Sequence, residues 1–113
     1  MITKPKGTYD LTGVNGKIYT YLSNEFMAYM NNYNYEFIRT PIFEASELFH
    51  RTVGEGTDIV TKETYDFKDR GERDITLRPE GTAGVVRSLI ENKLYGNRND
   101  SIKLYYNGTM YRY

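Results

Sequence analysis

Leu77-Arg78-Pro79-Glu80-Gly81-Thr82-Ala83-Gly84-Val85-Val86-Arg87 joins a predicted strand directly to a predicted helix. Pro79 biases Arg78 toward extended backbone and itself suits the first position of a helix, so the strand end runs straight into the helix N-terminus. Glu80, Gly81 and Thr82 occupy that turn. Free backbone N–H groups, a carboxylate and a hydroxyl then converge at one sheet end, an arrangement able to hold a small zwitterion such as an amino acid. The carboxylate also has a purely structural use, because an acidic residue in the first turn of a helix is favoured by the macrodipole alone. Local sequence leaves both uses open.

Working outward, Tyr65-Asp66-Phe67 and Asp74-Ile75-Thr76-Leu77 alternate in polarity around Asp69-Arg70-Gly71-Glu72, which predicts a β-hairpin ending on this turn. After the turn, Ala83, Val86, Ile90 and Leu94 form one apolar helical stripe that would anchor the turn against the sheet, with Gly96 as a suitable stop. Ile102, Leu104 and Tyr106 alternate with Lys103 and Tyr105 as a further strand, Asn107-Gly108 marks a bend, and Thr109 to Tyr113 starts one more strand.

The first half opens with a polar lead-in, Lys6-Gly7-Thr8-Tyr9-Asp10-Leu11. From Val14 to Asn32, apolar residues recur at three- and four-residue steps, predicting an amphipathic helix whose aromatic stripe serves a core or a subunit interface. Asn34 sits where a left-handed residue would turn the chain back. Tyr35 to Thr40 reads as an edge strand closed by Pro41, and Ala45 to Arg51 as a short helix contacting the core through Leu48 and Phe49. His50 is the only histidine and there is no cysteine, so it reads as a surface or packing residue and no metal site is expected. Gly54-Glu55-Gly56 is a loop without the spacing of a phosphate-binding glycine motif.

Composition narrows the class. A chain of 113 residues with 39% hydrophobic content supports one modest core, in one domain or a piece of one. Fifteen basic residues balance fifteen acidic ones, which removes the electrostatic footprint of an autonomous nucleic-acid binder. No apolar stretch reaches membrane-spanning length and the N-terminus lacks an apolar signal core, so a soluble, cytoplasmic protein is expected, with no membrane partner.

Several motifs occur in order: Arg39-Thr40-Pro41-Ile42-Phe43-Glu44, Glu47-Leu48-Phe49-His50-Arg51, Val53 through Phe67, Leu77 through Arg87, and Met110-Tyr111-Arg112-Tyr113. Together they resemble the N-terminal part of the catalytic domain in the histidyl-tRNA synthetase family, which are class II aminoacyl-tRNA synthetases. Asn34 stands where that family commonly has glycine, and Thr64 where it usually has methionine; neither disturbs the pattern.

The resemblance implies an α+β fold, a partial class II synthetase fold in which an antiparallel β-sheet is packed by helices. Residues 1–113 would be an N-terminal fragment running from motif 1 to the start of motif 2. The parent enzyme would activate histidine with ATP, forming histidyl-adenylate, and transfer it to tRNA. Within it, Glu80 and Thr82 would contact the substrate α-ammonium, Gly81 would permit close backbone approach, and Arg112 would bind the histidine carboxylate and the ATP α-phosphate. A planar, permanently charged donor fork suits that task. ATP with Mg2+ would enter as a substrate complex, with nothing tightly held by the fragment. Motif 1, over residues 14–43, implies a homodimer. The residues for adenine, imidazole and tRNA would lie beyond Tyr113, so the fragment alone is expected to be inactive.

Two other classes remain. A regulatory subunit of ATP phosphoribosyltransferase would share the fold but tends to lose the Glu80-Gly81-Thr82 set. A standalone dimerising protein would keep only the motif 1 half.

Overall fold

In the computed structural model, which describes residues 1–53, 63–96 and 101–113, two compact units appear, Met1–Glu36 and Phe37–Tyr113. The predicted glycine loop at positions 54–56 lies outside the described residues.

The first unit is built on helix α1, Gly13–Asn32, as the apolar spacing predicts. Asn34 ends it in the left-handed region at φ 63°. The amides of Tyr35 and Asn34 donate to the carbonyls of Met30 and Asn31 at 3.0 and 3.1 Å, which satisfies carbonyls that a helix end leaves open. No residue of α1 is buried, so its aromatic stripe forms no core within the first unit.

The second unit contains a three-stranded antiparallel sheet. Strands β2 (Phe43–Ala45) and β3 (Asp66–Lys68) flank β4 (Asp74–Leu77). Phe43 pairs with Leu77 and Asp66 with Thr76, so Glu44, Thr76 and Asp66 form one cross-strand row. Helix α2 (Ser46–Val53) follows β2 directly and buries Phe49. Helix α3 (Thr82–Glu91) follows the Glu80 turn.

The hairpin falls where the alternation puts it, yet its left-handed residue is Glu72 at φ 62°, with Gly71 in an ordinary conformation. Asp69 compensates by accepting from the Gly71 and Arg73 amides at 2.9 and 3.0 Å and from Arg73 Nε at 2.7 Å. The Arg73 amide chiefly, opposed by a smaller desolvation and aided by the Arg73 side chain, holds the Asp69 carboxyl below its ordinary range.

Four expectations need correction. Tyr35 to Thr40 yields only a short strand, β1 (Glu36–Phe37), paired with a later strand; the Ile38 amide carries that pairing one bond further, to the Tyr105 carbonyl, before Pro41. Strand β5 (Leu104–Tyr105) is likewise short, and Tyr105, expected on its polar side, is a buried core residue set edge-on to Phe37 at 5.6 Å. Residues 109–113 form no strand ladder, although the Tyr111 and Tyr113 amides donate to the Arg78 and Glu63 carbonyls. Finally, α3 stops before Gly96: Lys93 takes φ 51° and the Leu94 amide reaches back to the Leu89 carbonyl at 3.0 Å.

The stripe on α3 is also turned the other way. Ala83 and Gly84 are buried, whereas Val86 and Ile90 are 45% and 61% exposed. A side chain at Gly84 would stand 3.0 Å from Glu44 Oε2 and 3.1 Å from the Thr40 hydroxyl, so the helix meets β2 across a glycine. One turn on, Arg87 Nε lies 3.1 Å from both Glu44 oxygens, and its Nη1 donates to Glu91 at 2.6 Å. Of the predicted stripe only Ala83 is buried, and Arg87 and Gly84 bring α3 against Glu44 of β2.

Candidate functional site

The turn between β4 and α3 starts from Arg78, 8% exposed despite its charge. Its amide donates to the Ile42 carbonyl at 2.8 Å, continuing the β2–β4 pairing past the strand end. Pro79 does not take the first helical position expected of it: α3 begins at Thr82 with Gly81 as N-cap, so residues 79–81 form a turn between strand and helix.

Glu80 folds back over the helix start. Its Oε2 accepts from the Thr82 amide at 2.5 Å and its Oε1 from the Ala83 amide at 3.0 Å. The carboxylate therefore satisfies two of the donors that a helix N-terminus leaves open. Glu80 thus serves the helix start from the position before the Gly81 N-cap and not, as expected, from within the first turn, and it leaves lone pairs on both oxygens for a further donor.

Gly81 has φ −101°, which any residue can adopt, so its backbone conformation does not require glycine. Space does. A Cβ there would lie 2.3 Å from Tyr106 Cε2, because the phenol ring rests on the Gly81 backbone. The Tyr106 hydroxyl stands 3.5 Å from Thr82 Oγ1, at the limit of a hydrogen bond.

Arg112 arrives from the far end of the chain, and its Nε donates to the Pro79 carbonyl at 3.2 Å. The terminal segment is fixed on both sides of it, by the Tyr111 amide on Arg78 and the Tyr113 amide on Glu63, with the Tyr113 ring edge-on to Tyr65 at 5.7 Å. All four residues singled out in the sequence, Glu80, Gly81, Thr82 and Arg112, thus belong to one corner. The sequence reading missed Tyr106 and Arg78. Neither carries a local signal, since their roles depend on segments distant in the chain.

His50 is half-buried and its Nε2 makes no hydrogen bond. It lines a depression of about 880 Å3 between α2 and the hairpin, where Lys68 and Asp74 already pair at 3.0 Å. Among the described residues no group of three or more histidine, aspartate or glutamate side chains could hold a metal ion.

An α+β arrangement in which a hairpin runs into a glutamate-glycine-threonine helix start, with an arginine from a later segment beside it, is of the class II aminoacyl-tRNA synthetase kind. The histidyl-tRNA synthetase profile matches residues 7–113. The chain belongs to the histidyl-tRNA synthetase family.

Histidine–tRNA ligases of several Staphylococcus aureus strains, N315 and Newman among them, are 58% identical to it over all 113 residues. The chain spans only 27% of the length of these relatives. The crystal structure of apo S. aureus histidyl-tRNA synthetase superposes on 99% of the chain with a TM-score of 0.85 and 51% identity among aligned residues, covering 26% of that protein. A Bacillus halodurans structure described as an ATP phosphoribosyltransferase regulatory subunit/histidyl-tRNA synthetase also superposes on 99% of the chain, at TM-score 0.79 and 25% identity, over 28% of its own length. No helix among the described residues is long and apolar enough to cross a membrane.

Proposed function

We propose that this chain is the N-terminal part of the catalytic domain of a cytoplasmic histidine–tRNA ligase, running from motif 1 to the opening of motif 2. The observation that carries this reading is the Arg112 side chain on the Pro79 carbonyl, one residue from Glu80. An amino acid seated there would meet a carboxylate for its ammonium and a guanidinium for its carboxylate, the two ends of a zwitterion.

In the parent reaction a carboxylate oxygen of histidine attacks the α-phosphorus of ATP. The new oxygen–phosphorus bond gives histidyl-adenylate, and pyrophosphate leaves with the electrons of the broken bond; a terminal hydroxyl of tRNA then attacks the histidyl carbonyl, forming the ester as AMP leaves. Arg112 opposes the charge that builds on the α-phosphate oxygens as this occurs. Glu80 and Thr82 hold the ammonium end, with Gly81 keeping the backbone open. Magnesium comes with ATP, and the described residues of this chain supply no metal cluster of their own.

The regulatory-subunit alternative is less well supported. Identity among superposed residues is 51% to the S. aureus ligase structure against 25% to the structure whose description includes that subunit, and the Glu80-Gly81-Thr82 set is retained. The ligase reading also carries a homodimer through residues 14–43.

Glu80→Gln, made in the intact ligase that contains this chain, tests the assignment. Loss of a charged hydrogen bond of about 1.5–3 kcal/mol should weaken histidine use roughly ten- to a hundredfold in pyrophosphate–ATP exchange. Glutamine keeps one oxygen for the helix amides, so melting should fall by about 1 kcal/mol or less. Unchanged exchange kinetics would leave Glu80 as a helix-end residue only.

A further inference from the structure

Arg78 is a buried permanent cation whose described partners are backbone carbonyls. Its Nε donates to the Thr109 carbonyl at 2.9 Å and its Nη1 to the Thr40 carbonyl at 3.2 Å. The backbone of the same residue adds two bonds, to the Ile42 carbonyl at 2.8 Å and from the Tyr111 amide at 2.9 Å. Residue 78 therefore ties together three segments: the entry to β2, the turn that leads into α3, and the run that ends in Arg112.

Filling space at this position would not call for arginine. Replacing buried charge by an apolar side chain of similar volume is often neutral or stabilising, because desolvation is avoided. What an apolar side chain cannot do is donate to two carbonyls at once from a planar, rigid fork. Gly108 fits the same account: a Cβ there would lie 2.4 Å from Arg78 Nη2, so the chain carries glycine where the guanidinium passes. Such a fork sets the register of residues 108–111 against residues 78–79, and Arg112 is the next residue along.

We propose that Arg78 is a positioning residue for the amino-acid activation reaction, placing Arg112 beside the Glu80 turn without itself touching substrate. The proposal rests on the reading of Glu80 and Arg112 given above.

The first test uses the 113-residue chain, uniformly labelled with 15N, and follows hydrogen exchange at Arg112 Nε–H, the Tyr111 amide and the Leu77 amide. Arg78→Lys should abolish protection at Arg112 and Tyr111 while the Leu77 amide, bonded to the Tyr65 carbonyl, stays protected. Gly108→Ala should give the same pattern by displacing the guanidinium with its charge intact. Retained protection at Arg112 in both variants would overturn the proposal.

The second test measures exchange kinetics in the intact ligase. Displacement of a reacting group's partner by about 1 Å costs on the order of a hundredfold in rate, so Arg78→Lys and Gly108→Ala should each lower kcat by about that factor and, because Arg112 also meets the histidine carboxylate, raise KM for histidine. Wild-type kcat in both variants, alongside a strong loss in Arg112→Ala, would overturn the positioning role. No loss in Arg112→Ala would instead overturn the reading of the site. Should Arg78→Lys fail to fold, Gly108→Ala decides alone.

Discussion

The seam running from Glu44 through Thr76 to Arg78 and Arg87 and the apolar stripes of α1 and α3 divide the chain's atoms in opposite ways. In the seam, Thr76 is 0% exposed, its hydroxyl 2.7 Å from that of Ser46 and 2.5 Å from Asp66 Oδ1, and Arg87 pairs with Glu44. On the stripes, Ile18, Leu22 and Tyr29 of α1 and Val86 and Ile90 of α3 all remain exposed. A self-sufficient domain does the reverse, burying large apolar groups first. Polar satisfaction can be completed locally by neighbouring segments, whereas apolar stripes of this extent need a partner surface. The open stripes are surfaces that a second copy or a further segment would cover, and the chain spans 27% of its relatives' length.

The largest expected effect is the absence of chemistry in the chain alone. Histidine activation needs both substrates held in line, and positioning alone contributes about 7–11 kcal/mol. On the reading proposed above, the corner of Glu80 and Arg112 is one wall of such a site, and the adenine contact and the imidazole pocket that the family resemblance implies would lie beyond Tyr113. Histidine-dependent pyrophosphate–ATP exchange should stay at background, with mass spectrometry excluding full-length enzyme. Exchange lost on Arg112→Ala would show the missing walls to be dispensable.

Next in size is self-association through residues 14–43. At roughly 25 cal/mol per Å2 of apolar area, a stripe this long supplies several kcal/mol when a second copy covers it. Sedimentation equilibrium should show a dimer, and Leu22→Glu should return it to monomer. A monomer at high concentration in the parent chain would break the link between open apolar faces and assembly.

The two sides of α3 sharpen the comparison within one helix. Arg87→Met strands the Glu44 carboxylate, whose side chain is only 9% exposed, and should cost about 1–3 kcal/mol, less than a fully buried pair because Arg87 is partly solvated. Ile90→Ser, on the open side, should cost about 0.5 kcal/mol or less in the monomer. Equal costs by chemical denaturation would mean that α3 is held by its apolar stripe after all.

Much of the secondary structure was legible because period and turn chemistry are local properties. The steps along α1 located it, the alternation around Asp69 located the hairpin, and Asn34 marked the helix end. Which face is buried was not legible. Period two and period 3.6 say which residues share a side, but the side that is covered depends on segments far away, and so Tyr105 was placed outward and Val86 inward. The four candidate site residues came from the family motifs, and their proximity in one corner is what the structure adds. Arg78, bonded to carbonyls from two remote segments, and Tyr106, lying on Gly81, leave no mark on their own neighbours in sequence.

The smallest expected effects concern two residues that hold left-handed backbone without being glycine. Lys93 and Glu72 have φ 51° and 62°, and each sits beside a glycine-containing segment that does not supply the residue needed: Gly96 comes after the helix has ended, and Gly71 precedes the left-handed position of the hairpin. A left-handed conformation costs an L-residue roughly 1–2 kcal/mol, while glycine concedes about 0.4–1 kcal/mol through the freedom it adds to the unfolded chain. Lys93→Gly should therefore stabilise by about 0.5–1 kcal/mol. Glu72→Gly should gain no more than that, because the Asp69 carboxylate already fixes the turn through the Gly71 and Arg73 amides. Both gains should appear as higher denaturation midpoints with unchanged slope. Glu72→Gly belongs to the hairpin and Lys93→Gly to the end of α3, so the two should add when combined. A lower midpoint for either variant would mean that the lysine or glutamate side chain contributes more than its backbone strain costs.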